Sequence, residues 1–151
     1  MKLYICINKT SLPGYTHIDP IPKDNIPAFQ GSIQDLNQIA GKGECEEILA
    51  PELLDYLSPG QLDQSLSELA SLLHHEGKLI IGGTEFYELC RGVFIGQVTS
   101  DQVNNLLFNS QIRKNGIYSV EEIKEKLVNL ELKIQSIKIN NGTFIIEAFR
   151  E

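Results

Sequence analysis

Carboxylate side chains follow two predicted strands of the chain, at positions that suit the binding of a polar ligand. Asp19 closes a short predicted strand, Tyr15–Asp19, and Glu52 and Asp55 come just after another, Glu44–Ala50. Ligands of open parallel sheets lie beyond the carboxyl ends of the strands. A carboxylate placed there can accept hydrogen bonds from ligand hydroxyl groups or take up a proton. Two simpler alternatives stay open: Asp19 as a cap of the following turn, and Asp55 as an exposed helix acid.

The first predicted strand, Lys2–Ile7, ends without the residues that a nucleotide-binding unit normally has there. Such units place glycines after the first strand, because the backbone must come close to the ligand. This chain has Cys6, Ile7 and Asn8 at that place, and a β-branched side chain fills space and resists positive φ. No histidine or aspartate lies at a motif spacing that would activate Cys6 as a nucleophile, so a small buried cysteine is predicted.

Composition and charge narrow the class of protein. A chain of 151 residues with 42% hydrophobic and 22% charged residues is typical of one soluble globular domain. The net charge of −7 disfavours direct binding to a nucleic-acid backbone. Three scattered cysteines favour a reducing compartment over a disulfide framework. With no membrane span or signal-peptide pattern, the predicted location is cytoplasmic.

Strand and helix patterns alternate along the chain, which predicts an α/β fold with a mostly parallel sheet flanked by helices. A short strand is predicted over Gly31–Leu36. The clearest helix starts at the cap Ser58 with Pro59 in its first turn, and Gly77 is expected to close it. Lys78–Gly83 then reads as a buried strand.

The second half of the chain predicts three further helices and a terminal hairpin. The predicted helix caps are Thr84, Ser100 and Ser119, the last in a capping box with Glu122. Asn140-Asn141-Gly142 between two apolar runs indicates an antiparallel hairpin. Val93–Ile95 is interpreted as a lid over a bound acceptor substrate, as a dimer contact or as part of the core.

Two other motifs lack the residues that ligand binding would require. Adjacent His74 and His75 would point to different faces of a helix, and no further ligand follows at metal spacing, so we interpret them as helix-end residues interacting with the dipole. "GKGE" at Gly41–Glu44 has no strand before it and no Ser or Thr after its lysine, unlike a phosphate loop.

The ordered set of segments resembles the class I S-adenosylmethionine-dependent methyltransferases, and a short subgroup of them in particular. "INKTSLPGYTHIDP" is similar to the subgroup's first two strands and the turn between them, and "GSIQDL" to its Gly-Asp-x-x-Asp-Leu. Leu54-Asp55-Tyr56 occupies the position of the family's Leu-Glu-His motif. "YSVEEIKEKL" and "TFIIEAFR" are similar to the last helix and strand. The resemblance covers essentially the whole chain.

The resemblance implies a Rossmann-like sheet of seven strands, with the last strand antiparallel and inserted beside the fifth. Only about ten residues separate the first two predicted strands, whereas a parallel crossover usually needs a dozen or more. The first helix is therefore expected to be absent or reduced to a turn.

The resemblance also implies S-adenosylmethionine as the cofactor and a small molecule or a protein as the methyl acceptor. The positions that it implies for cofactor binding are Cys6, Ile7, Asn8, Asp19, Ser32, Ile33, Asp35, Ala50 and Pro51. Asp55 or Glu52 is the implied proton acceptor, with catalysis mainly by alignment of the reactants. The alternative is a methyltransferase-like protein with a degenerate cofactor site, which works as a binding or assembly partner. No metal is implied, and a homodimer is one option.

Overall fold

The computed structural model of the protein describes residues 1–7, 12–20, 33–108 and 114–151, with the backbone alone at residues 33–35. Within these residues the chain forms one sheet, four α-helices and two short 3-10 segments. The strands are β1 (Lys2–Ile5), β2 (Thr16–Ile18), β3 (Cys45–Ala50), β4 (Leu73–Thr84), β5 (Leu132–Asn140) and β6 (Thr143–Arg150). The helices are α1 (Pro59–Leu72), α2 (Phe86–Phe94), α3 (Ser100–Phe108) and α4 (Val120–Asn129), and the 3-10 segments are Ile33–Gln38 and Leu53–Tyr56.

The six described strands are arranged in the order β2-β1-β3-β4-β6-β5. Strands β1 to β4 run parallel to one another, and β6 is antiparallel to both β4 and β5. The last strand is therefore inserted beside β4. This arrangement confirms the predicted α/β class, the mostly parallel sheet and the terminal antiparallel pair.

The connection from β1 to β2 is as short as the sequence indicates. Only residues 6–15, ten in all, separate the two parallel strands. The described part of this connection contains turn residues and no helix. These residues agree with the expectation that the first helix is absent or reduced to a turn. Asn8 lies outside the described residues.

The prediction of a strand over Gly31–Leu36 is wrong for the part that the structure describes. Residues Ile33–Gln38 form a 3-10 segment instead. The carbonyl of Leu36 accepts hydrogen bonds from the backbone N–H groups of Ile39 and Ala40, which form a local turn. The Leu36 side chain is fully buried in the core, so burial rather than strand pairing anchors this segment.

The end of α1 also differs from the prediction. The helix stops at Leu72 rather than at Gly77, because Leu73 pairs with Cys45 of β3 and is fully buried. Strand β4 thus begins five residues earlier than expected. His74 and His75 lie within it, so their interpretation as helix-end residues is wrong.

Gly77 has a different role from the one predicted. The residue with positive φ is Glu76, at 65°. A Cβ atom at Gly77 would lie 2.8 Å from the Cys45 carbonyl oxygen, so glycine allows the strands to approach closely here.

The capping residues of α1 and α4 are the predicted ones, whereas those of α2 and α3 differ from the prediction by one residue. Ser58 and Gln61 form a reciprocal capping box at α1, and Ser119 accepts a hydrogen bond from the Glu122 backbone at α4. At α2, the cap is Glu85 rather than Thr84, and at α3 Thr99 rather than Ser100 exchanges hydrogen bonds with Gln102. Thr84 instead donates hydrogen bonds to the Asp55 carboxylate.

The hydrophobic core lies on one face of the sheet. Alternate residues of four strands contribute to it: Leu3, Ile5, Ile48, Ala50, Leu79, Ile81, Phe144, Ile146 and Ala148. Helices α1 and α4 cover this face with Leu62, Leu66, Leu69, Ile123 and Leu127. In the described part of the chain, no helix is long and apolar enough to cross a membrane.

Candidate functional site

Strands β1, β2, β3 and β4 run parallel and end at a common edge of the sheet. The register pairs Ile5 with Ile18 and Tyr4 with Leu49. The residues that follow these strands are therefore neighbours along the edge: Cys6 after β1, Asp19 after β2 and Pro51 after β3. The topology thus brings three of the predicted site positions, distant in sequence, to one edge of the sheet.

At the end of β1, Cys6 is held in a small polar cluster. Its side chain is only 2% exposed, and Ile7 beside it is 7% exposed. The Cys6 Sγ lies 3.2 Å from His17 Nε2, which also lies 3.1 Å from the Cys6 carbonyl oxygen. The hydrogen bond to Cys6, followed by burial, raises the pKa of Tyr4 to about 12. The predicted buried cysteine is confirmed, but its contact with a histidine eleven positions away was not predicted, because no motif has that spacing.

The predicted cofactor positions differ in where the structure places them and in whether it describes them. Asp19 is half-buried directly after β2, where the sequence places it. Ile33 and Asp35 belong to the 3-10 segment, of which only the backbone is described. Asn8 and Ser32 lie outside the described residues. Ala50 is fully buried at the end of β3, so its side chain contributes to the core rather than to a ligand surface.

A cleft of about 320 Å³ opens at this edge, between the segment after β3, the end of β4 and the start of β6. Pro51 and Glu52 line the cleft together with Asp55 and Tyr56 of the 3-10 segment. Its lining also includes Thr84, Leu106, Lys114, Thr143 and Ile145. The cleft therefore combines polar and apolar side chains, as small-molecule sites commonly do.

Asp55 lines the cleft but is buried, and is not the exposed helix acid of the simpler alternative. Its carboxylate accepts hydrogen bonds from the Thr84 backbone N–H (2.7 Å) and hydroxyl (3.2 Å). It also pairs with the Lys114 ammonium group at 2.5 Å, and the side chains of Asp55 and Lys114 are 8% and 15% exposed. Lys114 was not predicted to belong to this site, since it lies in a predicted loop 59 residues away.

The glycine before Thr84 explains why the 3-10 segment can lie against β4. A Cβ atom at Gly83 would lie 2.9 Å from the Cβ atom of Leu54 and 3.1 Å from the Asp55 Oδ1 atom. Any larger residue would push the segment away and separate Asp55 from Thr84. The Gly-Gly at the end of the predicted strand thus positions the carboxylate.

Tyr56 adds a hydrogen-bond donor to the cleft. Burial, with smaller contributions from the Asp55 and Glu52 carboxylates, raises the pKa of its phenol group. The hydroxyl therefore stays protonated at neutral pH and is able to donate to a bound ligand.

A second cleft, of about 420 Å³, lies next to the first and shares Thr84, Leu106 and Thr143 with it. Helices α2 and α3 form its outer wall. Val93, Phe94 and Ile95, at the end of α2, are 45%, 91% and 48% exposed. They are therefore not core residues, which leaves a lid or a contact surface as predictions for this segment.

Comparison with known proteins finds structural but not sequence relatives. No protein-family model and no curated protein sequence matches the chain. The PH0226 protein from Pyrococcus horikoshii OT3 superposes with a TM-score of 0.64 at 14% identity, over 91% of this chain and 73% of that chain. An O-methyltransferase family protein from Burkholderia thailandensis gives 0.60 at 14% identity, over 82% of this chain and 35% of that one.

A third match includes a bound product of the cofactor. It is the 1,6-didemethyltoxoflavin-N1-methyltransferase of Burkholderia thailandensis, with 1,6-didemethyltoxoflavin and S-adenosylhomocysteine bound. The TM-score is 0.53 at 12% identity, over 91% of this chain and 62% of that chain. This chain therefore spans 62% of the N1-methyltransferase and 35% of the O-methyltransferase family protein. These matches show that it has the Rossmann-like fold of class I S-adenosylmethionine-dependent methyltransferases.

Proposed function

We propose that this protein is an S-adenosylmethionine-dependent methyltransferase that acts on a small-molecule acceptor. The main support is the polar cleft at the carboxyl edge of the sheet, where Asp55, Lys114 and Thr84 form one hydrogen-bonded group beside Glu52 and Tyr56. A buried ion pair is costly to build and needs several good contacts to form. Its location in a cleft at the ligand-binding edge of this fold favours a role in ligand binding.

The residues proposed to hold the cofactor lie along the same edge. Asp19 is half-buried at the end of β2, and its carboxylate is suited to accept hydrogen bonds from ribose hydroxyl groups. The backbone of Cys6 and Ile7 follows β1 in the adjacent position, and Pro51 follows β3. Asn8, Ser32, Ile33 and Asp35 complete the proposed set from the sequence. When bound, S-adenosylmethionine supplies an electrophilic methyl group on its sulfonium.

The cleft residues are proposed to orient the acceptor and manage its proton. Glu52 lines the cleft and is proposed as the proton acceptor. The Asp55 carboxylate accepts three hydrogen bonds, from the backbone N–H and hydroxyl of Thr84 and from the Lys114 ammonium group. Asp55 is then a positioning residue that holds Lys114 and Thr84 at the cleft. Catalysis would come mainly from alignment of acceptor and methyl group. A volume of about 320 Å³ lies at the lower end of the range for small-molecule sites.

A second candidate function is a non-catalytic binding or assembly protein of the same fold. The observation that favours it is the burial of Cys6 and Ile7, which are 2% and 7% exposed where the backbone would have to meet the cofactor. Little of this strand end is then accessible to a ligand. Fold alone does not choose between the two functions.

Thermal unfolding with S-adenosylmethionine or S-adenosylhomocysteine separates the two candidates. A ligand at a hundred times its Kd adds about 2.7 kcal/mol of stability, and for a chain of this size the midpoint should rise by about 5–10 °C. No rise at millimolar ligand would refute the methyltransferase proposal and favour the non-catalytic function. A rise with no methyl transfer to any of a panel of small-molecule acceptors would leave cofactor binding standing and argue against the proposed acceptor class.

An Asp19→Asn variant tests the proposed ribose contact. The ligand-induced rise, taken as the difference between the midpoints with and without ligand, should fall to less than half of the wild-type value. Asp101→Asn, on the exposed first turn of α3, is the matched control and should keep the full rise. An unchanged rise in the Asp19→Asn variant would refute the assignment of Asp19.

A further inference from the structure

The second cleft, between α2, α3 and the hairpin turn, has the size and lining of a small-molecule site. Its volume of about 420 Å³ lies within the usual range for such sites. Its apolar lining residues are Leu89, Val98 and Leu106. Because it shares Thr84, Leu106 and Thr143 with the first cleft, a ligand in one cleft lies directly beside the other.

The hydrogen-bonding side chains of this cleft are mainly uncharged amides and hydroxyls: Gln97, Gln102, Asn141, Thr84 and Thr143. The Gln97 and Asn141 amides form no side-chain hydrogen bond with the part of the chain that the structure describes. The Gln102 Oε1 atom accepts from the Thr99 backbone N–H at 2.9 Å, which leaves the amide nitrogen able to donate. The Thr143 hydroxyl donates to a backbone carbonyl of its own turn at 2.8 Å, and its oxygen can still accept. The cleft therefore offers both donors and acceptors without charge.

Charged groups in and beside the cleft are already paired with each other. Among the described residues that line it, only Glu88 is charged, and its carboxylate lies 3.6 Å from the Arg91 guanidinium group on the same helix. The one described cation that lines the first cleft, Lys114, is held by Asp55 at 2.5 Å. Removing an ionised group from water without an opposite charge is unfavourable. The described lining therefore favours an uncharged ligand over a carboxylate or an ammonium ion.

Local backbone contacts fix both walls of the cleft. The Gly92 carbonyl accepts the backbone N–H groups of Gln97 at 2.9 Å and Val98 at 3.0 Å, so the chain folds back between α2 and α3. A Cβ atom at Gly92 would lie 2.7 Å from the Val98 Cγ2 atom, so glycine is needed for this close approach. On the other wall, the Gly142 carbonyl accepts from the Glu85 backbone N–H at 2.9 Å, which ties the hairpin turn to the start of α2.

Helices α2 and α3 bury almost none of their own side chains. In α3 no residue is buried, and in α2 only Gly92 is. Each helix has nine residues, and helices this short are marginal without tertiary packing. On the cleft side, Leu89 is half-buried and Leu106 is 38% exposed. A ligand with an apolar body would complete the packing between these helices and the hairpin.

We propose that the second cleft binds an uncharged small molecule that has an apolar body and amide, carbonyl or hydroxyl groups. Gln97, Gln102 and Asn141 would exchange hydrogen bonds with these groups, and Leu89 and Leu106 would contact the apolar body. The interpretation of this molecule as the methyl acceptor rests on the proposed function, since the shared wall places it beside the first cleft. Its binding does not depend on the cofactor, because the chain alone forms the cleft.

The test uses the full chain and three probes with one apolar body and different charge. They are naphthalene carboxamide, naphthalene carboxylate and naphthylmethylammonium. Titrations followed by heteronuclear NMR should show that the carboxamide binds about tenfold more tightly than either charged probe. The side-chain amide signals of Gln97, Gln102 and Asn141 should shift on binding, whereas that of Gln64 on α1 should not.

Matched variants make the result specific. Gln97→Lys supplies a cation and should tighten binding of the carboxylate about tenfold, as expected for a hydrogen bond between charged groups. Gln64→Lys makes the same change on the exposed side of α1 and should leave all three affinities unchanged. Leu106→Asn should weaken binding of the carboxamide about fivefold through lost apolar contact. If thermal unfolding shows that this last variant is not folded, Gln97→Lys still decides the outcome.

Four results would overturn the proposal. They are no binding of the carboxamide at millimolar concentration, equal or tighter binding of a charged probe, binding without a shift of the three amide signals, and unchanged selectivity in Gln97→Lys.

The thermal scans with S-adenosylmethionine separate this proposal from the proposed function. Carboxamide binding without a cofactor-induced rise would leave the site standing in a protein that is not a methyltransferase. A cofactor-induced rise without carboxamide binding would refute the site and leave the proposed function standing.

Discussion

Replacing Lys114 by methionine should destabilise the protein far more than most single changes of a charged residue. The Lys114 ammonium group is the cation paired with the Asp55 carboxylate, at 2.5 Å, and both side chains are largely buried. Methionine keeps the length and the apolar stem but removes the charge. The Asp55 carboxylate then stays in a site of low dielectric without its counter-ion.

The magnitude follows from the contacts that remain. Breaking a buried ion pair by removing one partner typically costs about 3–5 kcal/mol. Here the two hydrogen bonds from Thr84 persist, and the Lys114 side chain is 15% exposed, so the lower end applies. We expect a loss of about 3 kcal/mol, which is a fall in the unfolding midpoint of about 6–12 °C for a chain of this size.

Chemical denaturation and thermal scans measure this loss directly, with two further variants as references. Lys126→Met removes an exposed ion pair with Asp63, whose side chains are 29% and 80% exposed, and should cost less than about 1 kcal/mol. Adding Asp55→Asn to the Lys114→Met variant should recover part of the stability, because the buried charge is gone while an amide oxygen still accepts from Thr84. A Lys114→Met loss no larger than that of Lys126→Met would refute the reasoning.

Two other changes test the packing and the electrostatics of the sheet. Tyr118→Phe removes the buried hydroxyl that donates to the Leu57 carbonyl at 2.5 Å, and leaving that oxygen unpaired should cost about 1–3 kcal/mol in denaturant unfolding. Glu147→Gln should cost less than about 1 kcal/mol at pH 7, since its pair with Lys78 is partly exposed. The hydrogen bond from Lys78 lowers the Glu147 pKa in the fold, so this contribution exists above the ordinary glutamate value of about 4.3 and disappears as pH falls through the lowered pKa. Wild type and Glu147→Gln should therefore converge in stability in acid, and a difference that grew towards low pH would contradict that assignment.

Local signals in the sequence were sufficient for most of the secondary structure. Ser58 with Pro59, and Ser119 with Glu122, encode helix starts through contacts within one turn, so no tertiary information is needed. The Asn141-Gly142 turn likewise encodes its own hairpin, because both residues adopt positive φ, at 50° and 75°. These predictions were correct because the deciding interactions lie a few residues apart.

Predictions failed where a distant strand competed with a local preference. The sequence from Leu73 to Glu76 has nothing that ends a helix, yet pairing of Leu73 with Cys45 draws it into β4. Gly77 resembles a helix terminator because of its residue type alone, but its actual role is to let the Cys45 carbonyl approach. Such contacts depend on the register of a neighbouring strand, which local pattern does not specify.

Local sequence patterns were sufficient to predict the alternation of strands and helices, the terminal hairpin and the position of Asp19 at a strand end, since all of these depend on neighbouring residues. The contacts of Lys114 and Thr84 with Asp55, and of His17 with Cys6, form only when the chain has folded. The physical reason is distance along the chain. A buried charge is stable only with a partner, and which residue becomes that partner is decided when the strands assemble into the sheet.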